Sequence, residues 1–428
     1  MASGIKEGLE AKLPGQAVTA GLRGASWDQA LVPSDMRTTV IPCTTADGAL
    51  ITGYLHARGG ERNVAFIMHP RELLVTHYLV PYLINAGYAC WVQGGRMVGN
   101  DLRLEHELAV HDVGAGMVQL RKLGFSSVIM VGNSGGASLF AFYNQQAMAA
   151  GANRIAKTPA GRPTRLGDAD LPAPDGFVFV APHPGQGKLL QGMIDPSVID
   201  EEDPLSCNPA LDPFSAENGF RPVSDGGASY STEFLERYRN AQNERVARID
   251  VRARDLIDRR MAARHKAKAG EPVGFYEPGY SGIFCVWRTD ADPRSFDLSL
   301  DPSSRKWGSL WGANPIVSNV GSVGFGRVCT PESWLSTWSG LSSNASFERC
   351  GSAIEQPVLM IEYSGDNSVY PGESDAIFSV IGSSEKQRHE VDGNHHGHAL
   401  QKNEPSGQEI AGSLITEWLA ERWPSDQG

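Results

Sequence analysis

The sequence predicts an α/β fold: a mostly parallel central sheet with helices on both faces, interrupted by one large, mainly helical insertion. Short β-rich runs alternate with longer helical stretches from about Thr38 to His183, the arrangement of strands joined by crossover helices. The pattern returns at Pro357 and continues almost to the end of the chain. Between these two stretches the composition changes, and a segment that long is not a connection between neighbouring elements, which usually takes only a few residues. The division is therefore a core of residues 1–183 and 341–428 and an inserted cap, or lid, of residues 184–340.

Taken in order, Thr38 to Ile41 and Ala49 to Leu55 flank the turn-forming Ala46-Asp47-Gly48 and predict an antiparallel hairpin. Val64 to Met68 is apolar at every position, as a strand covered on both faces must be. Ala89 to Val92, Val128 to Val131 and Phe177 to Val180 read the same way. The segments between them read as helical. Glu105 to Leu123 carries Leu108, Val113, Met117 and Leu120 and ends at Gly124, and Ala137 to Ala150 is rich in good helix formers.

Within the insertion, Pro, Asp, Asn and Gly are frequent from Pro184 to Gly227, and a long helix follows from about Thr232 to Lys268. Leu235, Tyr238, Val246, Ile249, Ala253 and Leu256 give that helix one narrow apolar stripe. The stripe reads as packing on its own domain, with pairing between the subunits of a homodimer as the alternative. Its arginines alternate with acids, as on a solvated face. Beyond the insertion come a strand at Pro357 to Ile361, a helix near Glu373 to Ile381, a short strand around His389 to Val391 and a final amphipathic helix from about Gln408 to Arg422.

A net charge of −11 over 428 residues argues against nucleic acid or an anionic membrane as the main partner and favours a small-molecule substrate. No apolar run is long enough to span a bilayer, and no secretory leader pattern lies between Met1 and Pro33. The six cysteines (Cys43, Cys90, Cys207, Cys285, Cys329 and Cys350) are scattered, without a CxxC pair, and read as reduced thiols. A cytoplasmic location is the resulting expectation.

The strongest chemical signal is Gly132-Asn133-Ser134-Gly135-Gly136, a GxSxG directly after a buried strand and directly before a helical run. A serine there must occupy a strained turn, and the helix N-terminus beneath it favours developing negative charge. Downstream, the strand from Pro357 leads through Glu362 to Asp366 and then Val369-Tyr370-Pro371, and Gly393-Asn394-His395-His396-Gly397 follows the last short strand. Serine, acid and histidine in this order and these contexts resemble the α/β-hydrolase superfamily over about residues 38–183 and 355–425; the cap lies outside the resemblance.

That resemblance implies Ser134 as nucleophile and Asp366 as the acid, with Glu362 its rival at the strand end. It also implies a histidine three residues past a glycine, which registers on His396; His395 and His398 are the alternatives. A serine hydroxyl needs an imidazole to take its proton and a carboxylate to orient that imidazole. The oxyanion needs preorganised donors, of which the Gly135 N–H is the first. The superfamily often supplies the second from a His-Gly after the strand that here is Val64 to Met68. This chain has His69-Pro70-Arg71, and proline has no N–H, so the backbone of Arg71 is the expected donor.

His389, His395, His396 and His398 lack the acidic or cysteine partners of a recognised ligand set, so neither metal nor cofactor is expected. Gly185-Gln186-Gly187-Lys188 lacks the upstream glycine of a phosphate loop and has Leu189 where a hydroxyl would bind magnesium; it reads as a turn. Trp307, Trp311, Trp334 and Trp338 read as cap core in part and as lining of an apolar substrate site in part. The expected activity is carboxylesterase-like, on an ester of a bulky apolar or aromatic small molecule, through an acyl-serine. A thioesterase, amidase or carbon–carbon bond hydrolase with the same residues is one alternative, and a non-catalytic ligand-binding homologue is another.

Overall fold

The computed structural model describes residues 25–425 except 98, 100, 322 and 323. Its centre is an eight-stranded sheet. The opening hairpin pairs β1 (Arg37–Thr44) with β2 (Leu50–Ala57), antiparallel from Arg37↔Ala57 to Thr44↔Leu50. β3 (Asn63–Met68), β4 (Ala89–Gln93), β5 (Ser127–Asn133) and β6 (Gly176–Val180) follow. Two short strands of the insertion, β7 (Phe284–Cys285) and β8 (Val328–Cys329), form a separate ribbon. β9 (Val358–Tyr363) and β10 (Lys386–Val391) complete the main sheet. The order is β1-β2-β4-β3-β5-β6-β9-β10, with β2 antiparallel to both of its neighbours and every other pairing parallel.

Side chains alternate across each strand, and both faces are covered. Val64, Phe66 and Met68 point to one face, where α2 (His106–Lys122) and α3 (Gly135–Met148) bring Val110, Val113, Met117, Leu139 and Phe140. Phe66 meets Phe140 edge-on at 5.5 Å, a ring geometry that adds about 0.5–1.5 kcal/mol to simple area burial. Ala65 and Ile67 point to the other face, against α1 (Leu79–Asn85) and the C-terminal helix, through Leu79, Leu83, Ile415 and Trp418. Cys90 is buried in β4 on this second face, as a small apolar residue.

The insertion begins with α4 (Gln186–Met193), so the glycine-rich stretch read as a turn is instead a helix start. Its longest helix, α5 (Thr232–Ala269), is capped by the Ser231 side chain and closed by Gly270 at φ +74. The apolar stripe of α5 is used within the chain: Val246, Ile249 and Ala253 pack with Leu189 and Leu190 of α4 and with Phe284, Trp334 and Trp338. Short helical turns, loops and the β7–β8 ribbon make up much of the rest. Arg245, fully buried on α5, is paired with Glu201 at 2.8 Å and donates to the carbonyls of Asp195 and Trp287, the partners a buried charge requires.

Two seams fix the insertion on the core. Thr337 donates to Leu104 O at 2.7 Å, and the His106 N–H donates to Ser336 Oγ at 2.9 Å. On the other side Arg294 pairs with Glu373 at 2.9 Å, and Ser295 bonds the Tyr370 hydroxyl, also at 2.9 Å. Tyr370 caps α6 (Pro371–Val380); α7 (Gly407–Arg422) ends the chain's regular structure. Among the described residues no helix is long and apolar enough to cross a membrane.

The first seam carries a pH liability. His106 is fully buried with Nδ1 3.1 Å from Thr337 Oγ1, and burial lowers its pKa to about 4. The unfolded histidine titrates near 6.5, so its folded pKa is depressed. As the pH falls below about 6.5 the unfolded chain takes up a proton that the folded chain refuses, and stability is lost until the folded value is reached. From pH 7 to pH 5 the loss is about 2 kcal/mol. In urea unfolding at those two pH values, H106N should lose about that much less stability than the wild type; equal losses would contradict the assignment.

Candidate active site

Ser134 stands between β5 and α3 at φ +54, ψ −123, a conformation that L residues rarely adopt. The flanking glycines make the turn sterically feasible. A Cβ on Gly132 would lie 2.6 Å from Ala137 Cα, and one on Gly136 would run into Met68 O. The Ser134 N–H donates to Val180 O at 2.9 Å, pinning the turn to the end of β6. The hydroxyl is thereby held at the carboxyl ends of the parallel strands, where open α/β sheets bind their ligands.

Asp366 follows β9, and its Oδ1 accepts the backbone N–H groups of Ser368 at 2.7 Å and Val369 at 3.0 Å. Its Oδ2 faces a histidine after β10, but the register is one residue from that expected. His395, not His396, bridges to Asp366 Oδ2 (Nδ1, 2.7 Å) and to Ser134 Oγ (Nε2, 3.1 Å). The reason lies in the turn. Asn394 Oδ1 accepts from the N–H of His396 and of His398, at 3.0 Å each, and Gly397 at φ +75 closes the loop, so the first histidine after Asn394 faces inward. His396 stands edge-on to His395 at 5.1 Å, its pKa lowered to about 3 by burial and by the neighbouring imidazoles. His398 is exposed. Glu362, the rival acid, is paired instead with Arg388 at 2.6 Å.

A second imidazole reaches the serine. His183 Nε2 lies 3.1 Å from Ser134 Oγ and 3.2 Å from Ser368 Oγ, and its ring stacks on His395 at 5.4 Å. Its Nδ1 has no partner among the described residues, so of the two rings only His395 has a carboxylate to stabilise an imidazolium. Burial, and then His395, His69 and Arg71, hold the His183 pKa well below the ordinary value, leaving it neutral. Sequence reasoning passed over this residue. Its signal was positional: three residues past a strand whose carboxyl end abuts the serine turn.

Of the two N–H groups expected to face an oxyanion, one is turned away. The Gly135 N–H is the first of α3 and has no acceptor within the helix. The Arg71 N–H, expected as the second donor, is turned onto the ring of His69, whose Nδ1 accepts it at 3.2 Å. The Arg71 guanidinium bonds Asp101 (Nε to Oδ2, 2.9 Å) and lies over the rings of Phe325 and Trp338.

The four tryptophans separate. Trp334 is fully buried in the packing of the insertion and donates to Asp250 at 2.7 Å. Trp307 packs on Phe296 and donates to its carbonyl. Trp338 is fully buried in the same packing as Trp334; it and Trp311 meet Phe325, at 6.3 and 5.3 Å, and Phe325 is edge-on to His183. A cavity of about 330 Å³ opens beside His395, lined from the insertion by Lys306 and Leu310 and from the core by Asn367, His396 and Leu400.

Sheet order, a lone antiparallel second strand, a strained serine turn after β5, an acid after β9 and a histidine after β10 now stand together. This is the α/β-hydrolase fold. No protein-family model matches the sequence, and no curated protein matches it. Solved structures do. The chain is similar to DcsB, solved in complex with its substrate analogue, at 12% identity, 90% of this chain, 99% of that chain and a TM-score of 0.47. It is similar to the α/β-hydrolase GrgF from Penicillium sp. sh18 at 12% identity, 90% and 98% coverage and a TM-score of 0.44. The corresponding values for the esterase domain of a Rhodothermus marinus protein are 10%, 90%, 99% and 0.42.

Proposed function

We propose that the protein is a serine hydrolase that cleaves a carboxylic ester. The observation that carries the reading is the buried line of hydrogen bonds from Ser134 through His395 to Asp366 at a strained turn. In the proposed reaction Ser134 Oγ bonds to the ester carbonyl carbon while its proton passes to His395 Nε2, and the carbonyl electron pair moves onto oxygen. Asp366, fixed by two backbone N–H groups, keeps the His395 proton on Nδ1 and stabilises the imidazolium. Collapse of the tetrahedral species breaks the bond to the alcohol oxygen, which leaves with the proton from His395. Water then hydrolyses the acyl-serine by the same steps in reverse order of partners.

The insertion supplies the roof in this reading, because Lys306, Leu310 and Phe325 approach the two histidines. A bulky apolar or aromatic substrate group would lie along Phe325 and Trp311. The test is a series of p-nitrophenyl esters from acetate to large aromatic acyl groups. The wild type should prefer a large ester over acetate by about tenfold or more in kcat/KM, and W311A should flatten that ratio while keeping acetate turnover within about threefold. Hydrolysis of no ester would overturn the activity, and an unchanged ratio in W311A would remove Trp311 from specificity.

A further inference from the structure

We infer that the side chains of Gln186 and His69 complete the oxyanion hole, in place of the backbone donor that His69-Pro70-Arg71 withholds. The inference rests on the serine-hydrolase reading above and deepens it. Gln186 opens α4 and is completely buried, yet neither atom of its carboxamide has a hydrogen-bond partner among the described residues. A buried amide without partners is costly, and such groups persist where a bound ligand provides the missing contact.

Its position names the ligand atom. A Cβ built on Gly135 would run into Gln186 Nε2 and would lie 3.0 Å from His69 Nε2. Both side-chain nitrogens therefore close on the residue whose N–H is the first oxyanion donor, and a side chain at position 135 is excluded by them. The tautomer of His69 follows from its other nitrogen. Nδ1 accepts the Arg71 N–H, so in the neutral ring the proton sits on Nε2, which is a donor. Burial and the Arg71 charge keep the ring neutral. The bond that takes the Arg71 N–H out of the site thus aims a different donor into it. When Ser134 Oγ bonds to the carbonyl carbon, the negative charge on the former carbonyl oxygen meets three N–H groups: Gly135 N, His69 Nε2 and Gln186 Nε2.

The test begins with the wild type, which must hydrolyse a p-nitrophenyl ester and be labelled by a fluorophosphonate at Ser134. Q186M keeps the length of the side chain and removes the donor. It should lower kcat by about 10²–10³ with KM within about threefold, and should unfold at the same or a higher temperature, because an unpaired buried amide is gone. Affinity for a trifluoromethyl ketone, whose adduct with Ser134 carries the oxyanion, should fall in parallel, while affinity for the carboxylate product should not. H69Q, which retains a donor near the Nε2 position, should keep more activity than H69L. Q186L provides a second reading if Q186M fails to fold. A kcat for Q186M and Q186L within about threefold of an active wild type overturns the assignment of Gln186 alone. A wild type that neither hydrolyses esters nor takes the label overturns the serine-hydrolase reading, and this inference with it.

Discussion

Replacing Ser134 by alanine is expected to lower ester turnover by about three to six powers of ten and to leave the fold unchanged. The substitution removes only Oγ. Alanine is no more strained than serine at φ +54, and the N–H that bonds Val180 O is retained, so the turn keeps its shape. His395 and His183 both lose the hydroxyl they approach at 3.1 Å. The residual rate would come from binding and the oxyanion donors, which survive the substitution. Steady-state kinetics with circular dichroism as the control for folding reads both parts. Activity within about tenfold of the wild type would remove Ser134 from the mechanism.

The second large effect concerns the neighbouring histidines. H395A should match S134A in severity, since members of such a set act as a unit, whereas H396A and H398A should stay within about tenfold of the wild type. His395 has both partners, Asp366 at 2.7 Å and Ser134 at 3.1 Å, while Asn394 holds the backbone of His396 and His398 in the turn behind it. H183F should fall between these groups, because His183 contacts the serine but has no carboxylate behind it. Parallel kcat/KM measurements on the four variants decide the order. A severe loss in H396A beside a mild one in H395A would contradict the register.

How much of this was legible in the sequence depended on how local each cause is. β3, β5 and β6 are covered on both faces, so they are apolar at nearly every position and stand out as runs. The serine turn is equally local, because strand, glycines and helix are adjacent in the chain. Asp366 is legible from the strand that carries it, and the structure places it 2.7 Å from His395. The histidine was displaced by one residue because the turn is set by an asparagine side chain, and spacing from a glycine does not register that. Arg71 was misplaced because the direction of its N–H is decided by the ring of His69. His183 and Gln186 gave no motif at all. Their positions come from tertiary contacts, across the end of β6 in one case and against Gly135 in the other. The tryptophans divided by depth: Trp334 fills the packing beneath α5, and Trp311 meets the ring that faces His183.

Ser134 as the nucleophile is tested most directly by reaction of the wild-type protein with a fluorophosphonate, read by intact mass and then by peptide mapping. One equivalent of label per chain is expected, on Ser134, at a rate that H395A reduces by several powers of ten while H396A does not. Label on any other residue, or none on a folded protein, would contradict this assignment.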